Sequence, residues 1–196
     1  MRARDENKIE AIFQQALEMI VNEGFDGLSM QKLAKAAGVS PATIYIYFKD
    51  KEDLLLQLHK RETERFFEYL MEGFGTDMDF ATGMAVQWRR RAHYVIQNPL
   101  VAHFMEQFSF TPLYPKSMKF RDSRFKEAMH RFVNKAIEDK QLMPMPIEVY
   151  WAVSYAPLYS LVKFHKLGLN MAGEPFELTD EMLTQTLALV LKALKP

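Results

Sequence analysis

Ser29, Ser40, Thr43, Tyr45 and Tyr47 place five hydroxyls within nineteen residues, and over Ser29 to Lys51 four ammonium groups, Lys32, Lys35, Lys49 and Lys51, stand against one acid, Asp50. Hydroxyls and ammonium groups at that density can donate to phosphate oxygens, contacts that position a protein on a nucleic acid without reading its sequence. The chain as a whole carries 25 basic and 25 acidic residues, a net charge of zero. Nucleic-acid binders displace counterions with clustered cations, so the local excess matters more than the total.

Other chemistry finds less support. The histidines, His59, His93, His103, His130 and His165, form no metal-ligand spacing, and the absence of cysteine excludes disulfides, thiolate zinc sites and cysteine nucleophiles. Paired carboxylates, a glycine-rich phosphate loop and a serine, histidine and acid set are not recognisable. The expectation is therefore of no enzyme, no metal and no cofactor. Arg89-Arg90-Arg91 is a basic run, but successive helical residues point in different directions. It reads as a solvated face with one inward salt bridge and is assigned no anion site.

The residues with chemical potential must be held by helices. Apolar positions recur at helical spacing and no stretch alternates, so the chain reads as all-α with about nine helices. Ile9, Ile12, Phe13, Ala16, Leu17 and Ile20 share one face of a first helix that ends near Gly24. Met30 to Ala37 follows with Ser29 as N-cap, and Gly38 ends it. Ser40-Pro41 supplies a cap and a proline at the first helical position, opening a third helix to about Tyr47. A fourth runs from Asp50 to Gly73 or Gly75. Five more are expected over Phe80 to Gln97, Pro99 to Phe108, Ser123 to Lys140, Ile147 to Lys166 and Thr179 to Lys195, with a kink at Pro157.

Two short helices joined by a glycine turn have helix-turn-helix spacing. Leu33, Ala34, Ala37, Val39 and Ile44 suit the inner faces, leaving Pro41, Ala42, Thr43, Tyr45 and Tyr47 on or near the outer face that enters a major groove. Small apolar groups there suit close approach or a thymine methyl, whereas Thr43, the two tyrosines and Lys51 have the reach for phosphate. On spacing alone a plain helical hairpin, with the tyrosines half-buried, remains open.

The same stretch resembles a known family. Gly24-Phe25, Leu28-Ser29-Met30, Leu33-Ala34, Ala37-Gly38-Val39-Ser40, Ala42-Thr43-Ile44-Tyr45, Tyr47-Phe48 and Lys51-Glu52-Asp53-Leu54 look like the N-terminal signature of tetracycline-repressor (TetR) type transcription regulators. The resemblance covers about the first quarter of the chain. It implies a DNA-binding domain over residues 1–49 and a helical effector-binding and dimerisation domain over 50–196. It further implies that Ser29, Met30 and Gln31 approach DNA, that Pro41, Ala42 and Thr43 face bases, and that Tyr45, Tyr47 and Lys51 hold phosphates. Ala42 stands where the family often has glycine, and Ile46 where it often has an aromatic or polar group.

The second half can be set against that expectation. Val153, Leu161 and Phe164 on the eighth helix, with Leu183, Leu187, Val190 and Leu194 on the ninth, could form a two-fold interface or ordinary core. A symmetric operator needs half-sites about 34 to 36 Å apart, or a multiple, which favours a homodimer. Trp88, His93, Phe104, Phe108, Tyr114, Met129, Trp151, Tyr155 and Tyr159 are the candidates for contact with an effector, although an aromatic stripe is also the mark of a core.

The expected function is a regulator, of the repressor kind, that binds double-stranded palindromic DNA as a homodimer and is released by a small, largely apolar or aromatic effector. A helical interaction module or an enzyme using an apolar cavity is the alternative. The longest apolar run, Leu187 to Leu191, falls far short of the ~18 residues that span a membrane, and the polar start from Met1 to Glu6 lacks a secretion signal's apolar stretch. A cytoplasmic location without a membrane partner is expected.

Overall fold

The computed structural model describes residues 3–120 and 123–196. Its helices are α1 (Ala3–Gly27), α2 (Met30–Ala36), α3 (Pro41–Tyr47), α4 (Lys51–Met71), α5 (Phe80–Gln97), α6 (Pro99–Phe108), α7 (Tyr114–Ser117), α8 (Ser123–Glu138), α9 (Ile147–Ser154), α10 (Ala156–Leu167) and α11 (Asp180–Leu194). A 3-10 turn covers Met118–Phe120. Among the described residues there is no β-strand, only an isolated bridge between Leu169 and Pro175. No described helix is long and apolar enough to cross a membrane.

The all-α expectation holds, with two differences in helix number. The short α7 follows the Thr111-Pro112 break, too brief for a periodic apolar pattern to reveal. The helix expected over Ile147 to Lys166 is two helices, α9 and α10, which meet at Tyr155 (φ −126°, ψ −25°). Pro157 has no N–H, and its ring collides with the carbonyl one turn back, so the helix restarts there with proline in its first turn. Near the other end of the chain, α1 is interrupted at Gly24 (φ 72°, ψ 177°), where the glycine stop was expected.

The chain packs as two compact units. One comprises residues 1–65 and 98–121, the other 66–97 and 122–196, with α4 contributing to both. The expected cut at residue 49 is one of function, reading DNA against binding effector, and not one of packing.

In the first unit the stripe of α1 (Ile12, Phe13, Ala16, Leu17 and Ile20) meets Leu33 and Ala34 of α2, Ile44 of α3, Leu54, Leu55 and Leu58 of α4, and Phe104 and Phe108 of α6. Full burial of a side chain such as Ile44 contributes roughly 1.5–3 kcal/mol. This unit also buries an acid. Glu62, 3.6 Å from the Arg61 Nε and 3.5 Å from an Arg65 nitrogen, has its pKa raised by burial despite both cations. Glu10 accepts hydrogen bonds from the same two arginines, and its pKa is lowered, their attraction outweighing its own burial.

The second unit surrounds Met84, Trp88, Phe132, Tyr155, Leu158, Leu187 and Leu194. Gly83 allows the closest approach of α5 and α8, since a Cβ there would lie 2.4 Å from the Phe132 ring.

Candidate nucleic-acid interface

Each end of the helix-turn-helix is closed by a side chain or a turn that its sequence dictates. The Ser29 hydroxyl accepts the Lys32 amide at 3.2 Å, capping α2, and the Ser40 hydroxyl accepts the Thr43 amide at 3.1 Å, capping α3. Between them Gly38 takes φ 65°, a left-handed conformation open to glycine. The Val39 amide then reaches the Ala34 carbonyl at 3.0 Å and the Gly38 amide the Lys35 carbonyl at 3.3 Å. These are the two bonds of a Schellman turn, which satisfies the last carbonyls of α2 and fixes the direction in which α3 leaves.

At the far end of α3, Phe48 is buried, its ring 5.3 Å from that of Phe13. Asp50 caps α4 by accepting the Asp53 amide at 2.8 Å, while Asp53 accepts the Lys49 amide at 2.8 Å. The Gln57 amide donates to Asp53 at 3.0 Å and to the Tyr47 carbonyl at 3.5 Å. Polar contacts thus set the junction of α3 and α4 from both sides.

What α3 presents is an apolar surface with one phenol. Pro41, Ala42, Tyr45 (55% exposed) and Ile46 (75% exposed) face solvent, with Ala42 and Ile46 one turn apart and Pro41 and Tyr45 likewise. Thr43 and Tyr47 are half-buried, and the Thr43 hydroxyl is bonded to that of Ser40 at 2.8 Å. Ile46 is the residue that sequence reasoning missed. Its signal was present, because a helical period that puts Ala42 outside puts Ile46 outside with it.

On α2, Ser29 and Gln31 are exposed, but Met30 is buried and packs in the first unit's core. Met30 is thus corrected from a DNA-approaching residue to a packing one, since its position at the start of α2 turns it toward Leu28 and Leu33 rather than outward. Lys35 and Lys49 are exposed, Lys32 pairs with Glu23 at 3.0 Å, and the Lys51 ammonium donates to the Phe25 carbonyl at 2.6 Å.

The candidates for effector contact do not form one group. Phe104 and Phe108 are buried in the first unit, where the His59 ring stacks on Phe108 at 4.3 Å and meets Tyr114 edge-on at 6.2 Å. Trp88, Met129, Trp151, Tyr155, Tyr159 and His93 belong to the second unit. There Trp88 is buried and donates to the Ser154 carbonyl at 2.9 Å, whereas His93 is exposed and bonded through Nδ1 to the Tyr69 hydroxyl. The Trp151 ring lies tilted against those of Tyr155 and Tyr159, with centres 5.0 Å and 5.9 Å apart, and Met129 packs half-buried beside the core.

The arginine run differs from its expectation in one respect. Arg89 is exposed, and Arg90 lies over the Tyr69 ring at 3.9 Å and pairs with Glu72. The inward-facing member is Arg91, which has no acid within salt-bridge distance among the described residues.

Of the residues expected at a dimer interface, Leu187, Val190 and Leu194 are buried in the subunit's own core, while Val153, Leu161, Phe164 and Leu183 are half-buried. An apolar stripe at helical spacing looks the same whether its partner is the same chain or another. The face that α11 leaves exposed carries Met182 and Leu189 instead, and α9 leaves Ile147, Val149 and Trp151.

Residues 12–58 match the family described as bacterial regulatory proteins, tetR family. Among curated relatives, an uncharacterised HTH-type transcriptional regulator of Haemophilus influenzae is 32% identical over 57% of this chain and 60% of its own length. The fatty acid metabolism regulator protein of Bacillus subtilis is 42% identical over 33% of this chain and 34% of its own. The chain therefore spans less than two thirds of the length of either. A solved structure of a TetR family transcription regulator from Marinobacter aquaeolei superposes over 100% of this chain and 99% of that one, with a TM-score of 0.87 and 27% identity. Residues 12–58, with their capped, glycine-turned geometry, thus match the helix-turn-helix of the tetR family of bacterial regulatory proteins, and the full fold is similar to that of a TetR family transcription regulator.

Proposed function

We propose that the chain is a DNA-binding transcription regulator, of the repressor kind, working as a homodimer in the cytoplasm. Residues 1–49 would read an operator, and 50–196 would bind a small effector and dimerise. The observation that carries this reading is α3, a short helix held by the Ser40 cap and the Gly38 turn, whose Pro41, Ala42, Tyr45 and Ile46 are exposed together. A helix so displayed can enter a major groove, where small and apolar groups read thymine methyls and Tyr45 with nearby lysines reaches phosphate.

The dimer supplies the second half-site, and the exposed apolar residues of α9 and α11 supply a surface for it. An effector that binds one arrangement of the recognition helices more tightly than another shifts the population and releases DNA, with α4 as the element that reaches into both units. The test is titration of purified protein onto DNA upstream of its own gene. Saturable binding that weakens with salt is expected, and its absence at low salt overturns the reading.

A further inference from the structure

Arg91 is a cation placed where cations do not rest without a partner. It is 3% exposed, on α5, with its guanidinium carbon 4.4 Å from the centre of the Tyr155 ring and 5.6, 5.7 and 5.9 Å from those of Phe66, Trp151 and Phe125. A guanidinium has five N–H donors. One nitrogen is 3.2 Å from the Tyr159 hydroxyl, while the buried Nε has no hydrogen-bond partner among the described residues. Burial pulls the pKa down, and the phenols of Tyr159, Tyr155 and Tyr150 push it up, leaving it above the ordinary arginine value. The group is therefore charged. Aromatic faces offset part of the desolvation of a cation, but they do not replace the anion that a buried arginine normally pairs with.

We infer that Arg91 and Tyr159 receive the carboxylate of an organic acid whose apolar body lies against the surrounding aromatic rings. The guanidinium fork matches a carboxylate with two parallel bonds, and the Tyr159 hydroxyl, which accepts from Arg91, still has its own proton to donate. Trp151, whose ring centre is 5.7 Å from the guanidinium carbon, is itself 46% exposed. A neutral ligand would leave the arginine unpaired, so charge as well as apolar area sets the ligand class. This rests on the effector reading of the second unit and narrows it from an apolar molecule to an apolar monocarboxylate.

The probes are decanoate with decanol and 2-naphthoate with 2-naphthalenemethanol, two acids each matched to a neutral alcohol of similar body. Tryptophan fluorescence and thermal melting report binding without DNA. At least one acid is expected to bind at least ten-fold more tightly than its alcohol. That preference should vanish in Arg91→Met and shrink several-fold in Tyr159→Phe, which removes one oxygen and keeps the ring. Arg91→Met without ligand should melt no lower than the wild type, as an unpaired cation has been removed. Equal affinity for acid and alcohol, no binding of either acid at about 1 mM, or a strongly destabilised Arg91→Met with unchanged Tyr159→Phe binding overturns the site.

Operator binding measured with each acid separates this from the broader reading. Acid binding that leaves operator affinity unchanged supports the anion site and removes the inducer role. Intact operator binding with no acid bound removes the anion site and leaves the regulator.

Discussion

The Lys51 ammonium donates to the carbonyl oxygen of Phe25 at 2.6 Å, tying the first turn of α4 to the end of α1. The contact satisfies a carbonyl beyond the Gly24 interruption and still leaves two ammonium protons for phosphate. Lys51→Ala should therefore do two things at once. It should weaken binding to every DNA sequence and flatten the dependence of log K on log salt by about 0.9. It should also destabilise the protein by about 1 kcal/mol, a hydrogen bond's typical net worth. Lys49→Ala is the control. That side chain is exposed, so the salt slope should fall without a change in melting temperature. Equal melting effects for the two variants would remove the structural half of the Lys51 assignment.

Ile44 and Ile46 are two residues apart on α3 and have opposite fates, one fully buried and the other 75% exposed. Ile44→Ala opens a cavity among Leu33, Phe48 and Leu54 and should destabilise by about 2–5 kcal/mol. Ile46→Ala removes no core contact and should change stability by less than about 0.5 kcal/mol. Its effect should instead lie in which bases are preferred, since an apolar side chain in a groove favours thymine methyls. Selection from a randomised DNA pool by wild type and Ile46→Ala checks this, and identical preferences would show that Ile46 does not read bases.

This pair also marks what was legible in the chain. Local chemistry was legible because it acts within a few residues. Ser29 and Ser40 as caps, Gly38 as the turn and Pro41 at the first helical position all stand where their types dictate. Long-range partnership was not. Leu187 and Leu194 carry a stripe that periodicity cannot assign to one chain or two, and Phe104 and Trp88 look alike until the fold puts them in different units. Arg91 shows the same limit for charge. Three consecutive arginines announce three directions, and only the packing of α5 reveals which of them turns inward and what it meets there.

Glu62 supplies a pH test. Burial raises its pKa above the ordinary carboxylate value, with Arg61 and Arg65 opposing. A carboxylic acid with a folded pKa above its unfolded one gives up protons more readily when unfolded. Its stabilisation is thus complete below the unfolded value and is lost as pH rises through the folded one. Glu62→Gln keeps the shape without the charge, and Glu10 remains to pair with both arginines. The variant should be the more stable at pH 7, with a melting temperature above that of the wild type. The advantage should shrink to nothing below the carboxylate range. A Glu62→Gln melting temperature lower than wild type at pH 7 would mean that the Arg61 and Arg65 pairing outweighs burial.

Leu187 and Leu189 of α11 separate folding from assembly. Leu187 is buried in its own subunit and Leu189 is 64% exposed, near the exposed Met182 and Gln185 on the same helix. If two copies meet through this face, Leu189→Arg buries like charges against each other and should convert dimers to monomers while leaving the helical content and first-unit folding intact. Leu187→Ala should act in the opposite sense, lowering the melting temperature by several degrees through a cavity beside Val190 without a preference for monomer at temperatures where the chain stays folded. Sedimentation of the two variants, paired with circular dichroism, distinguishes the effects. A Leu189→Arg protein that remains dimeric would move the two-fold interface away from this face. A monomeric one should also bind single half-sites far more weakly than the wild type binds a palindrome, because the linked second contact is lost.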